Sequence, residues 1–272
     1  MATLPNTILV GAAKAGTTSL CRDLEIHPDI YLYPAKETHF FSFNYDKGID
    51  YYKSLFRPTG QKIVMEASPE YSVRGKTKLT VERILEHIPD ARIIYMARSP
   101  LKRLESEYVQ ELANGRKSLS FERALFEWNL LEGSLYEKNY QILSQAFSPE
   151  SVHVVFFEDY LARKPETLSA LLRFLDVDDD PSVYVARKAR NTRDEKIVDP
   201  PLMKKLRAFR SFERLKPLVP DRIKLLLKKS ISNEVKADIV WNDALLQKVM
   251  PEIQSDAELF LRRHDKPLDF WF

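Results

Sequence analysis

Thr7-Ile8-Leu9-Val10-Gly11-Ala12-Ala13-Lys14-Ala15-Gly16-Thr17-Thr18-Ser19-Leu20 runs from an apolar, β-branched stretch through a loop of small residues into a helix-compatible segment. Strand, loop and helix in that order make a cradle for an anion. Small side chains let the backbone N–H groups close around it, and the helix N-terminus adds partial positive charge. The position of the lysine narrows the ligand. The common nucleoside triphosphate loop places Lys and then Ser or Thr directly after its second glycine, whereas Lys14 precedes Gly16 here. A standard ATP or GTP site is therefore disfavoured. The competing reading is an ordinary strand-to-helix turn, and the rest of the chain has to decide between them.

Outward from this loop, strand-like apolar runs at 62–65, 92–96 and 152–157 alternate with helical patterns at 17–26, 78–87, 101–113, 136–147 and 165–175, and 30–32 reads as a short edge strand. Apolar strands without polar alternation are those of a parallel sheet covered by helices on both faces. The fold class is α/β: a single domain with a central parallel sheet and a P-loop-like first loop, its ligands at the carboxyl ends of the strands. Residues 1–180 form the expected α/β core. After it, 181–199 reads as a functional basic loop, 202–227 as a Pro-interrupted helical stretch and 244–263 as a final helix.

Composition limits the alternatives. The chain has 272 residues, 44% of them hydrophobic and 30% charged, which suits one sizeable core. No uncharged apolar run approaches the roughly 18 residues of a membrane span, and 1–6 lacks the basic region and apolar core of a signal peptide. Cys21 is the only cysteine, which rules out an intrachain disulfide or a thiolate zinc cluster; a cytoplasmic setting is the expectation. A net charge of +3 does not call for nucleic acid. Basic residues nonetheless gather at Arg187, Lys188, Arg190, Arg193 and Lys196, as an anionic ligand would require.

Two further segments carry ionisable groups in suggestive places. Pro34-Ala35-Lys36-Glu37-Thr38-His39-Phe40-Phe41 sets a carboxylate and an imidazole beside two aromatic rings; desolvation there would raise the proton affinity of the carboxylate and suit it to general-base work. Its plainer reading is a surface turn ending in a core Phe pair. In 97–108, Arg98 stands at the end of a buried strand and Ser106 lies eight positions on along a helix. The two can meet one anion only if the chain folds back.

Together these segments resemble the sulfotransferases that use 3'-phosphoadenosine 5'-phosphosulfate (PAPS), in particular the branch of heparan sulfate N- and 3-O-sulfotransferases and their bacterial relatives. The resemblance covers 6–190, with a weaker echo in the C-terminal helix and Trp271. It implies that Lys14, Ala15, Gly16, Thr17 and Thr18, with Ser19 beside them, hold the 5'-phosphosulfate. It implies too that the pattern Arg98, Pro100, Arg103, Ser106, Tyr108 holds the 3'-phosphate and that Glu37 is the catalytic base. His39 is the competing base. Lys188, Arg190 and Asn191 are the candidates in a late basic loop that covers the nucleotide in the family, and Gln110 matches a position at the acceptor cleft. The chain departs from the 3-O-sulfotransferases at Thr18, where they carry arginine, and in Glu66-Ala67-Ser68-Pro69, where they carry lysine after the glutamate. Both changes weaken a case for an acidic glycan.

The implied reaction moves a sulfuryl group from PAPS to a small-molecule or carbohydrate acceptor hydroxyl, or an amine, releasing 3'-phosphoadenosine 5'-phosphate (PAP), with no metal. Lys14 and the loop N–H groups would stabilise the charge that grows on the leaving oxygen. Two alternatives stand beside it. One is a magnesium-dependent phosphotransferase, for which Glu66 after a strand is the one acidic candidate; the other is a non-catalytic nucleotide-binding protein of the same fold. Tyr45, Tyr51, Tyr52, Phe126, Trp128 and Tyr136 either line an acceptor cleft or pack in the core.

Overall fold

The computed structural model describes residues 3–73, 75–116, 119–180 and 237–272; Lys188, Arg190, Asn191 and the helical reading of 202–227 lie outside the described residues. Strands β1 (Thr7–Gly11), β2 (Ile30–Leu32), β3 (Ile63–Ala67), β4 (Arg92–Ala97) and β5 (Val152–Phe156) form one sheet in the order β2-β3-β1-β4-β5. Every pairing is parallel. The chain leaves β1 toward β2 and β3 on one side and leaves β4 toward β5 on the other, so the connections diverge between β1 and β4. A crevice opens there at the carboxyl ends of the strands.

Both faces of the sheet are covered. All five residues of β1 and of β3 are buried, and Ile8, Leu9, Met65, Ile93 and Ile94 have no exposed surface. Helices α1 (Thr17–Leu24), α4 (Thr77–His87), α5 (Pro100–Ala113), α7 (Tyr136–Phe147), α9 (Lys164–Leu175) and the C-terminal helix Asp243–Arg263 lie within one or two residues of their expected bounds. The periodicity did not reveal α2 (Phe40–Phe43), α3 (Ile49–Ser54), α6 (Phe121–Glu127) and α8 (Phe157–Ala162), which are too short to show a repeat of 3.6. No described helix is long and apolar enough to cross a membrane.

A second core lies beyond the sheet. Leu104, Tyr108, Phe121, Leu125, Trp128 and Leu130 pack there against Leu245, Val249 and Ile253 of the C-terminal helix. Arg103 lies wholly buried beside it: it pairs with Glu107 one turn on and donates to the Leu130 carbonyl at 3.2 Å and to Ser134 Oγ at 2.7 Å. Gly133 is needed for this, since a Cβ there would stand 2.1 Å from the guanidinium. Arg103 and Tyr108 therefore hold α5 in place; burial removes both from the anion-binding role that the motif implied.

The aromatics divide in the same way. Tyr52, Trp128 and Tyr136 are buried, and none of the six proposed cleft aromatics lines the crevice. They are core and surface residues.

Strand β3 runs two residues beyond its apolar stretch and carries Glu66 into the interior with no exposed surface. Four donors surround the carboxylate. Tyr71 and Tyr52 hydroxyls reach Oε1 at 2.8 and 3.1 Å, while Ser68 Oγ and the Thr38 N–H reach Oε2 at 2.6 and 3.5 Å. The same groups turn outward to the 38–41 segment: His39 N–H donates to Ser68 Oγ at 3.1 Å and Phe41 N–H to the Tyr71 oxygen at 3.2 Å. Burial raises the Glu66 pKa, and these donors pull it back in part. Removing the acceptor leaves several buried hydroxyls unpaired. Glu66→Ala should lower the unfolding free energy by about 3 kcal/mol or more, and Glu66→Gln, which keeps one acceptor oxygen, by much less; urea unfolding followed by tryptophan fluorescence measures both.

Candidate active site

The crevice is a cavity of about 660 Å³, within the range of small-ligand sites. Three walls meet in it. The first is the loop after β1 with the start of α1, the second is one face of α5, and the third is made by 36–43 and 69–76.

The loop has the conformation that its small residues allow. Lys14 and Gly16 both have positive φ, 69° and 99°. Gly16 is required twice over, because a Cβ there would also stand 2.4 Å from the Phe157 ring. The Ala15 N–H is closed on the Ala12 carbonyl at 3.2 Å and its side chain is buried. Ala15 thus shapes the loop and does not line the cavity. The N–H groups of Gly16, Thr17 and Thr18 stand at the open N-terminus of α1, which has no side-chain cap, where such groups are free to donate to an anion. Gly16, Thr17, Thr18 and Ser19 all line the cavity, as does Lys14, whose Nζ donates to Gln110 Oε1 on α5 at 3.0 Å.

Arg98 leaves β4 beside this loop. Its guanidinium donates to the Lys14 carbonyl at 3.3 Å and lies 4.8 Å from the centre of the Phe157 ring, while its own N–H is held by the Tyr136 hydroxyl at 3.2 Å. The next residue, Ser99, donates its N–H to Glu158 Oε1 at 2.9 Å, and Trp271 Nε1 holds the other oxygen at 3.1 Å. The cation is thereby set toward the cavity. Ser106, six residues and about 9 Å along the axis of α5 from Pro100, lines the same cavity with Gln110 and Asn114. These residues follow at intervals of four, so one face of the helix carries them. Arg98 and Ser106 thus share one cavity, although the chain does not fold back between them, since α5 runs unbroken from Pro100 to Ala113.

Glu37 enters from the opposite wall. Its carboxylate is about one-third exposed; Oε1 lies 2.7 Å from Lys36 Nζ and Oε2 lies 3.6 Å from His39 Nε2. Phe40 and Phe41 turn into the core with no exposed surface. The expected desolvation of Glu37 by these rings is replaced by an ammonium contact, because α2 begins at Phe40 and directs both rings inward. Lys36 and His39 have positive φ, 66° and 53°, an uncommon backbone for such residues, held here by the Glu66 network. His39 Nδ1 contacts Glu70 Oε1 at 2.6 Å, and Ser42 Oγ donates to the same oxygen at 3.0 Å. The hydrogen bond to Glu70 raises the His39 pKa above its ordinary 6.5.

Sequence reasoning missed Glu70 and Phe43, since neither falls in a motif and only packing brings them to the cavity wall. The other histidines are structural. His27 Nδ1 accepts the Asp29 N–H at 3.1 Å while Nε2 contacts the Asp178 carbonyl at 2.8 Å. Burial pulls His153 and His264 down to about 4. Cys21 is buried, its thiol pushed up to about 12.

The comparisons with known proteins agree with this architecture. A family profile described as "Sulfotransferase family" matches residues 51–181, which hold Arg98, Ser106 and Gln110. Human heparan sulfate glucosamine 3-O-sulfotransferase 3B1 is 33% identical over 147 residues, covering 50% of this chain and 37% of that protein. Human heparan sulfate glucosamine 3-O-sulfotransferase 5 is 28% identical over 197 residues, 66% of this chain and 56% of that one. The chain thus spans only part of the length of these curated relatives. In fold it is similar to a crystal structure of a sulfotransferase from Alicyclobacillus acidocaldarius, with a TM-score of 0.69 at 24% identity over 99% of each chain. The sulfotransferase domain of the Synechococcus PCC 7002 olefin synthase aligns with a TM-score of 0.53 over 85% of this chain and 96% of that domain. The profile match and the sequence relatives make the chain similar to sulfotransferases, and it shares their fold.

Proposed function

We propose that the protein transfers a sulfuryl group from PAPS to the hydroxyl of a small-molecule or carbohydrate acceptor, or to an amine, by in-line displacement, releasing PAP. The observation that carries this reading is one cavity lined by the Lys14 loop, by Arg98 with Ser106, and by Glu37, three segments far apart in sequence. Lys14 and the N–H groups of Gly16, Thr17 and Thr18 suit the phosphosulfate, and Arg98 and Ser106 suit the 3'-phosphate. As the acceptor oxygen bonds to sulfur, the bond from sulfur to the phosphate oxygen breaks and Glu37 takes the acceptor proton. Lys14 offsets the charge left on the departing oxygen. His39 Nε2, the competing base, lies 3.6 Å from Glu37 Oε2, beyond hydrogen-bond distance.

The proposed step needs no metal, since Lys14 and the loop amides meet the developing charge. Glu37, His39 and Glu70 nevertheless place ligand atoms within 4.8 Å of one another, so activity after dialysis against EDTA is the check on that part. The phosphotransferase alternative loses its acidic candidate, because Glu66 is enclosed by Tyr52, Tyr71, Ser68 and Thr38 and does not line the cavity. A cytoplasmic setting belongs to the same proposal.

Calorimetric titration with PAP tests the donor site, with ADP, ATP and GTP plus magnesium as comparators. PAP should bind more tightly than any of these, and Arg98→Ala should weaken it by one to two orders of magnitude, about the loss of a charge-assisted contact. Preference for magnesium-ATP overturns the proposal.

Lys14→Ala and Glu37→Gln should each lower turnover by roughly 10² to 10⁴ with unchanged unfolding curves. Glu37→Gln turning over at the parent rate would transfer the base to His39.

Nuclear magnetic resonance titration of His39 should give a pKa above 6.5 that falls on Glu70→Gln. Because the folded value is raised, stabilisation by the His39–Glu70 pair is complete below about pH 6.5 and fades as pH rises through the folded pKa.

A further inference from the structure

The end of the cavity away from Lys14 and Arg98 differs in character from the donor end. Among the described residues its cations are engaged: Lys36 lies against Glu37 at 2.7 Å, and Lys76 Nζ lies 3.7 Å from the centre of the Phe43 ring. An acidic acceptor gripped by Lys36 would take the ammonium from the base. Among the described residues Glu70 keeps Oε2 without a hydrogen-bond partner, since His39 and Ser42 both use Oε1. Glu111 on the facing helix also lines the cavity, its Oε2 paired with Arg116 at 3.1 Å.

The apolar element here is Phe43, 65% exposed on the cavity wall with its ring centre 6.1 Å from that of His39. Across from it Gln110 and Asn114 present amides, joined by a hydrogen bond of 3.1 Å from Nε2 to Oδ1. An aromatic platform beside carboxylate and amide groups suits a molecule with one C–H face and a rim of hydroxyls. The hydroxyls donate to carboxylate oxygens in charge-assisted bonds, and the C–H face covers the ring. Carboxylate or sulfate groups on the same molecule would meet Glu37 and Glu70 as like charges.

We propose, resting on the sulfuryl-transfer reading above, that the acceptor is an uncharged sugar. Its C–H face lies on Phe43, its hydroxyls bond to Glu70 Oε2 and the α5 amides, and the reacting hydroxyl points at Glu37. Phe43 and Glu70 determine this specificity.

The test uses the full chain and radiolabelled PAPS with octyl β-D-glucoside, octyl β-D-galactoside and tri-N-acetylchitotriose as neutral acceptors, heparosan as the acidic glycan and 2-naphthol as the aromatic alcohol. PAP affinity is measured in parallel. Label should pass to at least one neutral glycoside faster than to heparosan or 2-naphthol. Phe43→Ala should lower kcat/KM for that glycoside by at least about tenfold, the order expected from uncovering one ring, with PAP affinity unchanged. Faster transfer to heparosan or 2-naphthol, transfer to none of the panel by protein that binds PAP, or a Phe43→Ala variant equal to the parent overturns the proposal. Failure to bind PAP at all removes the donor reading instead, so the two failures are separable.

Discussion

The buried carboxylate of Glu66 is the constraint on which the site depends. A charged group with no exposed surface survives only with its lone pairs filled, and here two tyrosines, a serine and a backbone N–H fill them. Each donor belongs to a segment that must be placed: Thr38 to the turn carrying Glu37, Ser68 and Tyr71 to the stretch after β3, Tyr52 to α3. Satisfying one acceptor therefore fixes three connections at once. The positive φ values of Lys36 and His39 persist because the network on both sides leaves that turn no other course. The Glu37 carboxylate, presented on a loop, gains in this way the definition of one presented on a strand.

The end of the cavity at Lys14 and Arg98, the proposed donor end, is organised by the backbone, and the end at Glu37, the proposed acceptor end, by side chains. On the donor side the lone Cβ-free position at Gly16 lets the loop approach Phe157, and the same ring supports the Arg98 guanidinium. The loop and the arginine are thus set against one aromatic surface, and the arginine also holds the Lys14 carbonyl. On the acceptor side Glu37, His39 and Glu70 form a line of alternating acceptor and donor groups with Lys36 at one end. Gln110, reaching Lys14 from α5, is where the two ends meet. Lys14 and Arg98 stand together at the loop, and among the described residues the cations of the opposite wall, Lys36 and Lys76, are already engaged.

Much of this was legible in the chain. Strands buried on both faces announce themselves as unbroken apolar runs, and long helices through their period, so the parallel sheet and the helices α1, α4, α5, α7 and α9 follow from patterning alone. The Lys14 loop and the Arg98 to Ser106 spacing were readable because backbone geometry and helical pitch fix them locally. Arg103 and Tyr108 share that motif, but the motif states only order along the chain; which side of α5 each residue faces depends on what packs beside it, and the second core takes both. Glu66 ended a strand in the sequence and lies inside one in the structure, since a charge stops an apolar run on paper and a set of distant donors admits it in three dimensions.

The sequence by itself determined the fold class and the place of the anion loop at the end of β1, because each rests on local periodicity or small residues; the candidate base, Glu37 with His39 as its rival, and the candidate cations followed from the resemblance to the sulfotransferases. Only the tertiary structure decided that Glu37 is held by Lys36 and not by the Phe40 and Phe41 rings, that Glu70 is the partner of His39, and that Phe43 supplies the aromatic wall in place of the six other aromatics. Those outcomes depend on contacts between residues distant in sequence, for which hydrophobicity and charge order along the chain carry no register.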